Sequence, residues 1–147
     1  MIKIYLAHAL KNRKKVRKWE LKMEKKYPNI TLLNPFYDKN GEGGRKDIKQ
    51  LDKNQPVKRK QGWQTRLVKN DLRMMLECDY VIAMFDHTIG TTMELVYAHL
   101  NHIPCFLITE ELEVIIHPWI HHHVTTTTNL EMLENWLKVK NDIQNKR

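Results

Sequence analysis

Apolar residues in this chain fall into five short runs, and the stretches between them repeat their apolar positions every three or four residues. Ile2–Ala7 is the first strand-like run. It is followed by a helical pattern from about Asn12 to Tyr27, in which Val16, Trp19, Met23 and Tyr27 share a face and Glu20 is expected to point outward. Pro28-Asn29 ends that helix, and Ile30–Leu33 forms a second short strand closed by Asn34-Pro35, where proline cannot donate to a ladder. A helix is expected over about Gln64–Glu77, with Leu67, Leu72, Met75 and Leu76 as its apolar contacts. Tyr80–Phe85 reads as a fully buried strand. A further helix is expected from near Thr91 to Asn101, then strands at Pro104–Ile108 and Val124–Thr127. Asn129 is placed to cap a last helix carrying Leu130, Leu133 and Leu137.

Strand and helix alternate throughout. That order predicts a single-domain, three-layer α/β/α sandwich over residues 1–147, built on a five-stranded parallel, Rossmann/flavodoxin-like sheet. Right-handed crossovers then put a ligand crevice at the carboxyl ends of the strands. One segment breaks the pattern: residues 36–62 are rich in charge and contain Gly41, Gly43, Gly44, Pro56 and Gly62, and they read as a long basic loop.

Composition adds little to the fold but narrows the setting. The chain has 147 residues and a formal net charge of +8, with basic residues concentrated in Lys11–Lys26, Arg45–Lys60 and the C-terminal tail. Such a balance favours anionic partners. No helix-turn-helix, zinc-finger or RNA-binding signature accompanies it, so the charge reads mainly as solvated helix faces and a basic loop, and nucleic acid is not the expected partner. Cys78 and Cys105 sit in apolar surroundings and read as reduced core thiols. With no apolar run of membrane-spanning length and no signal-like start, a cytoplasmic protein without a membrane partner is expected.

Chemistry concentrates in Asp79–Glu94. A buried strand leads into the turn Asp86-His87-Thr88-Ile89-Gly90, and a helix then opens with Glu94 on its first turn. Glycine there lets a ligand approach the backbone at a helix N-terminus. A glutamate so placed serves the helix dipole, or it is a carboxylate nucleophile facing the crevice. Asp71, eight residues before Asp79, stands on the preceding helix as a second carboxylate, while Asp79 reads as structural. The run His121-His122-His123 lacks the spacing of a helical zinc pair, so neither a metal nor any other cofactor is expected. Trp19, Trp119 and Trp136 read as core residues, and Trp63 as the tryptophan suited to base stacking.

Together, Tyr5-Leu6-Ala7, Asp71, Asp79 and the run from Gly90-Thr91-Thr92-Met93-Glu94 through Ala98 resemble the nucleoside 2-deoxyribosyltransferase superfamily. The resemblance implies N-glycosidic cleavage: Glu94 attacks the anomeric carbon, Asp71 assists the departing base and Tyr5 positions Glu94. Transferases acting on free nucleosides carry an aspartate in the turn where this chain has Thr88 and Ile89. In that turn the chain is more similar to the 2'-deoxynucleoside 5'-monophosphate N-glycosidases, whose serine contacts phosphate. A phosphate pocket is then implied from the Thr88 hydroxyl, backbone amides near Gly90 and Lys11 or Arg13, with Ala7, His8 and Ile89 as further substrate-binding positions. The family's Gly-Ser pair is His8-Ala9 here, and its helix glycine is Val96. His117 is implied to reach a neighbouring subunit's site in a homodimer or larger homo-oligomer. Hydrolase and transferase remain equally open. The alternatives to this reading are a nucleotide-binding module of the same fold without turnover and a nucleic-acid-binding protein using the basic loop.

Overall fold

The computed structural model describes residues 1–38, 45–84 and 88–146. Phe85, Asp86 and His87, read above as strand end and turn, and Gly41, Gly43 and Gly44 of the basic segment lie outside the described residues. Five parallel strands form one sheet: β1 (Ile2–Ala7), β2 (Ile30–Leu33), β3 (Tyr80–Met84), β4 (Cys105–Ile108) and β5 (Thr126–Thr128). Their order is β2-β1-β3-β4-β5, the flavodoxin-like order, and the chain winds outward in both directions from the β1–β3 pair. Ile4 pairs with Tyr80 and Ala7 with Ala83, which brings the carboxyl ends of β1 and β3 side by side.

Strands covered on both faces lose the polar alternation of half-exposed ones. Thus Ile4 through Ala7 and Val81 through Met84 are all fully buried. On one face, Ile4, Leu6 and Ile82 pack under α1 (Arg13–Lys26) and α7 (Leu130–Asn145) through Val16, Trp19, Met23, Leu133 and Leu137. On the other, Tyr5, Ala7, Val81 and Ala83 pack under α3 (Trp63–Leu76), α4 (Ile89–Leu100) and α6 (Pro118–His123). The Asn129 side chain caps α7, accepting from Met132 N–H at 2.9 Å. Asp79 joins the start of β3 to β1, accepting from the Lys3 N–H at 2.8 Å.

Several expectations need correction. Residues 36–62 are not one loop: α2 (Lys46–Asp52) lies within them, anchored by the buried side chain of Ile48. Two further short helices, α5 (Leu112–Ile115) and α6, fill the connection from β4 to β5. Met74 rather than Leu76 takes the inward position on α3; Leu76 is 55 % exposed. Trp119 is on the surface, stacked on His123. Glu20 does not point outward but is fully buried. Its carboxylate accepts from the Asn34 amide at 2.7 Å and pairs with Arg17, and these contacts replace the water it gives up.

Candidate active site

β1 and α4 bring the two sharpest sequence features together. Tyr5 is the fourth residue of β1, and the period-2 alternation of a strand points it at the α3/α4 face, where it is fully buried. A buried phenol needs a polar partner. It has one 89 residues away: the Tyr5 hydroxyl donates to Glu94 Oε1 at 2.7 Å. Burial first, then the negative charges of Glu94 and Asp71, push the Tyr5 phenol well above its usual range. It therefore stays a donor throughout the range in which the protein works, and an acceptor carboxylate is held in one orientation beside it.

Helix α4 begins at Ile89, two residues before the expected start, so Glu94 is its sixth residue and stands in the second turn rather than the first. The helix dipole is spent mainly within the first turn, so Tyr5 rather than the dipole is the group that fixes this carboxylate. Thr88 occupies the N-cap position in extended conformation, with its hydroxyl 3.3 Å from that of Thr91.

Asp71 and Glu94 line one cavity of about 460 Å³ between α3 and α4. Gly90 lines it too, and the remaining wall is apolar, including Leu67, Val68, Met93 and Tyr97. A Cβ on Gly90 would meet no protein atom within 4 Å among the described residues, so packing of the chain does not require a glycine there. A concave apolar space with two convergent carboxylates and a buried phenol behind one of them is the form a small-molecule site takes. Chemically, the arrangement offers a fixed carboxylate oxygen next to a second carboxyl group, which suits nucleophilic attack paired with proton transfer.

The other residues singled out in the sequence lie elsewhere. Ala7 is fully buried in the core beneath α4. His8 is buried on the α1 side of β1, with Nε2 3.1 Å from Asn34 Oδ1 and Nδ1 3.2 Å from the Ala9 carbonyl. Lys11 is exposed in a single 3-10 turn, Leu10–Asn12. The Arg13 guanidinium is already engaged, donating to Asp52 at 2.9 Å and to the Leu10 carbonyl at 3.1 Å. Ile89 is 85 % exposed. His117 is an exposed N-cap residue of α6 and does not line the cavity. Trp63 carries the Arg59 guanidinium 3.9 Å above its ring, so one face suited to stacking is covered within the chain. Among the described residues no group of three or more His, Cys, Asp or Glu side chains is arranged to hold a metal ion. No helix among them is long and apolar enough to cross a membrane.

Sequence reasoning missed the apolar wall of the cavity. The available signal was a surplus: α3 and α4 carry more apolar positions than one buried face needs, and Val68, Met93 and Leu100 remain 52 %, 66 % and 68 % exposed.

The sheet order defines a flavodoxin-like α/β fold, and the cavity between α3 and α4 gives it a carboxylate-lined site. Among solved structures, the chain is similar to a 2-deoxyribosyltransferase from the psychrotolerant bacterium Bacillus psychrosaccharolyticus. The match has 23 % identity and a TM-score of 0.61, and covers 90 % of each chain. The two share a fold from end to end. No protein-family model matches the sequence, and a comparison with curated proteins gives no match.

Proposed function

We propose that this protein cleaves the N-glycosidic bond of a 2'-deoxynucleoside, preferably as its 5'-monophosphate, through a covalent glycosyl intermediate on Glu94. The observation that carries the reading is the Tyr5–Glu94 hydrogen bond of 2.7 Å beside a cavity that Asp71 also lines. The shared fold with a 2-deoxyribosyltransferase supports it. In this mechanism a Glu94 oxygen attacks the anomeric carbon while the bond to the base nitrogen breaks. The electron pair leaves with the base, which takes a proton from Asp71. Water, or the nitrogen of a second base, then attacks the same carbon, loses a proton to the Asp71 carboxylate and releases Glu94. The transition states carry oxocarbenium character, which a fixed neighbouring carboxylate stabilises. Tyr5 does not touch the sugar in this scheme; it is a positioning residue that holds the nucleophile's orientation.

The preference for a monophosphate rests on the turn into α4. Thr88 places a hydroxyl at the helix N-cap, and Gly90 leaves space that no described residue fills. Ile89 stands where free-nucleoside enzymes would need a carboxylate. The same reading takes the working unit as a homodimer or larger. The exposed apolar side chains of Val68, Met93 and Leu100 beside the cavity support it, since single molecules seldom leave such groups together in water. A monomeric sedimentation profile at working concentration would remove that part of the proposal.

The test is incubation with each deoxynucleoside and each deoxynucleoside 5'-monophosphate, with and without a free acceptor base. Release of base by the wild type and none by Glu94→Ala is the expected result. If the wild type binds these compounds and turns none over, the protein is a binding module instead. Thr88→Ala is expected to lower kcat/KM for a monophosphate roughly tenfold, the worth of one charge-assisted hydrogen bond. Use of the free nucleoside should hardly change, and equal losses on both substrates would sink the phosphate assignment.

A further inference from the structure

Helix α1 carries charge that the fold does not use. Arg13–Lys26 contains eight lysines and arginines against two glutamates, so six units of the protein's formal +8 sit on these fourteen residues. Neither glutamate offsets them on the outer surface. Glu20 is fully buried, and the Glu24 carboxylate turns toward β2, accepting from the Leu32 N–H at 3.0 Å. Arg13 pairs with Asp52, and Arg17 with Glu20 and Asp38. Lys14, Lys18, Lys22 and Lys25 are all exposed. Steps of four, four and three residues bring them into one row along roughly 16 Å of helix.

This row opposes helix stability. Like charges four residues apart repel, as Lys14 with Lys18 and Lys18 with Lys22 do. The first turn has no acidic residue, while Arg13, Lys14 and Lys15 stand at the positive end of the helix dipole. Packing asks for none of it, because the core contacts of α1 are Val16, Trp19 and Met23. A cationic row that costs helix stability and serves no internal contact is fitted to an anion outside the protein.

We infer that this face of α1 binds the phosphodiester backbone of a nucleic acid without regard to sequence. The lysines step about 6 Å along the helix. Phosphates of one duplex strand rise about 3.4 Å each along its axis while winding around it, so a row of this spacing can follow the backbone of one strand. Lysines are flexible point charges suited to phosphate rather than to bidentate base reading, and no aromatic side chain stands in the row to stack on bases. An anionic membrane is the poorer occupant, since a helix lying in a lipid surface buries an apolar face and the exposed side of α1 offers Leu21 as its one large exposed hydrophobic side chain. The surface lies across the sheet from the Tyr5–Glu94 cavity. Its occupant therefore does not compete with a small substrate, and the inference stands apart from the proposed reaction.

Fluorescence anisotropy with a labelled random-sequence duplex, and with its single strand, tests this on the full-length protein. Binding is expected at roughly 50 mM salt, with log K falling against log salt with a slope of about −4. The triple variant Lys14→Glu/Lys18→Glu/Lys22→Glu should lose at least about tenfold in affinity and flatten that slope. The matching lysine-to-glutamine variant should lose less, in the same direction. Both should retain the wild-type circular dichroism spectrum and base-releasing activity. Lys58→Glu/Lys60→Glu, in the second basic segment, should leave affinity near wild type. The inference is overturned by absence of binding at low salt, by binding that α1 reversal leaves unchanged, or by capture on phosphatidylserine vesicles without oligonucleotide binding.

Discussion

Two glutamates sit on helices packed against opposite faces of the same sheet, and their surroundings differ in a way that separates architecture from chemistry. Glu20, on α1, is fully buried and held by a neutral amide and a cation, Asn34 and Arg17. Glu94, on α4, is only half-buried, takes its hydrogen bond from the neutral phenol of Tyr5 and lines a cavity large enough for a nucleoside-sized ligand. The Tyr5 hydroxyl orients Glu94 without supplying a positive charge that would quench it. Burial instead pushes Glu20 up to about 8, against the lowering pull of Asn34 and Arg17. Of the two, Glu94 is the carboxyl group that a ligand in the cavity can reach.

The comparison breaks most sharply on activity. Glu94→Gln keeps the shape of the side chain and its bond from Tyr5, yet should reduce base release to background while the melting temperature stays within a degree or two. Glu20→Gln should leave kcat near wild type. If both variants, or neither, lose turnover, the division between the two carboxylates is wrong.

A smaller effect is expected at Tyr5. Hydrogen bonds to charged groups are worth roughly 1.5–3 kcal/mol, so Tyr5→Phe should lower kcat by about 10- to 100-fold while leaving KM close to wild type. A loss confined to KM would place Tyr5 in substrate binding rather than in orienting Glu94.

The smallest effect concerns acid–base linkage at Glu20. Its carboxyl holds a proton more tightly folded than unfolded, so this contribution to stability is complete below the ordinary carboxyl range. It is then lost as pH rises through about 8. Melting temperatures measured from pH 5 to 9 should decline less steeply with pH in Glu20→Gln than in the wild type. An unchanged slope would show that Glu20 does not titrate within that range.

Much of the fold could be read from the chain because parallel strands covered on both faces announce themselves as unbroken apolar runs. β1 and β3 are such runs, and their flanking helices show helical periodicity. Tyr5, Asp71 and Glu94 were legible as residue types in a particular order, though the 2.7 Å contact between the first and last is not encoded in spacing. What escaped has physical reasons. Glu20 is buried because Asn34, on the next connection, supplies its partner, and no local pattern reveals a partner 14 residues away. Helix α2 hides in a charged stretch because Ile48 is its one fully buried hydrophobic anchor. The start of α4 was misplaced because Gly90 is a poor helix former, so propensity gives no reason to carry the helix back to Ile89. The cavity wall was invisible because exposed apolar side chains look the same in sequence as buried ones.

The bond between Tyr5 and Glu94 also makes the order of assembly matter. The two partners stand 89 residues apart, with β2, α3 and β3 between them. The site therefore exists only once a strand from the beginning of the chain has found its parallel neighbour some 76 residues later. Contacts of such long sequence separation form late and slowly. In a refolding experiment, recovery of base release should thus lag behind recovery of helical signal, so that the proposed activity reports on completion of the sheet.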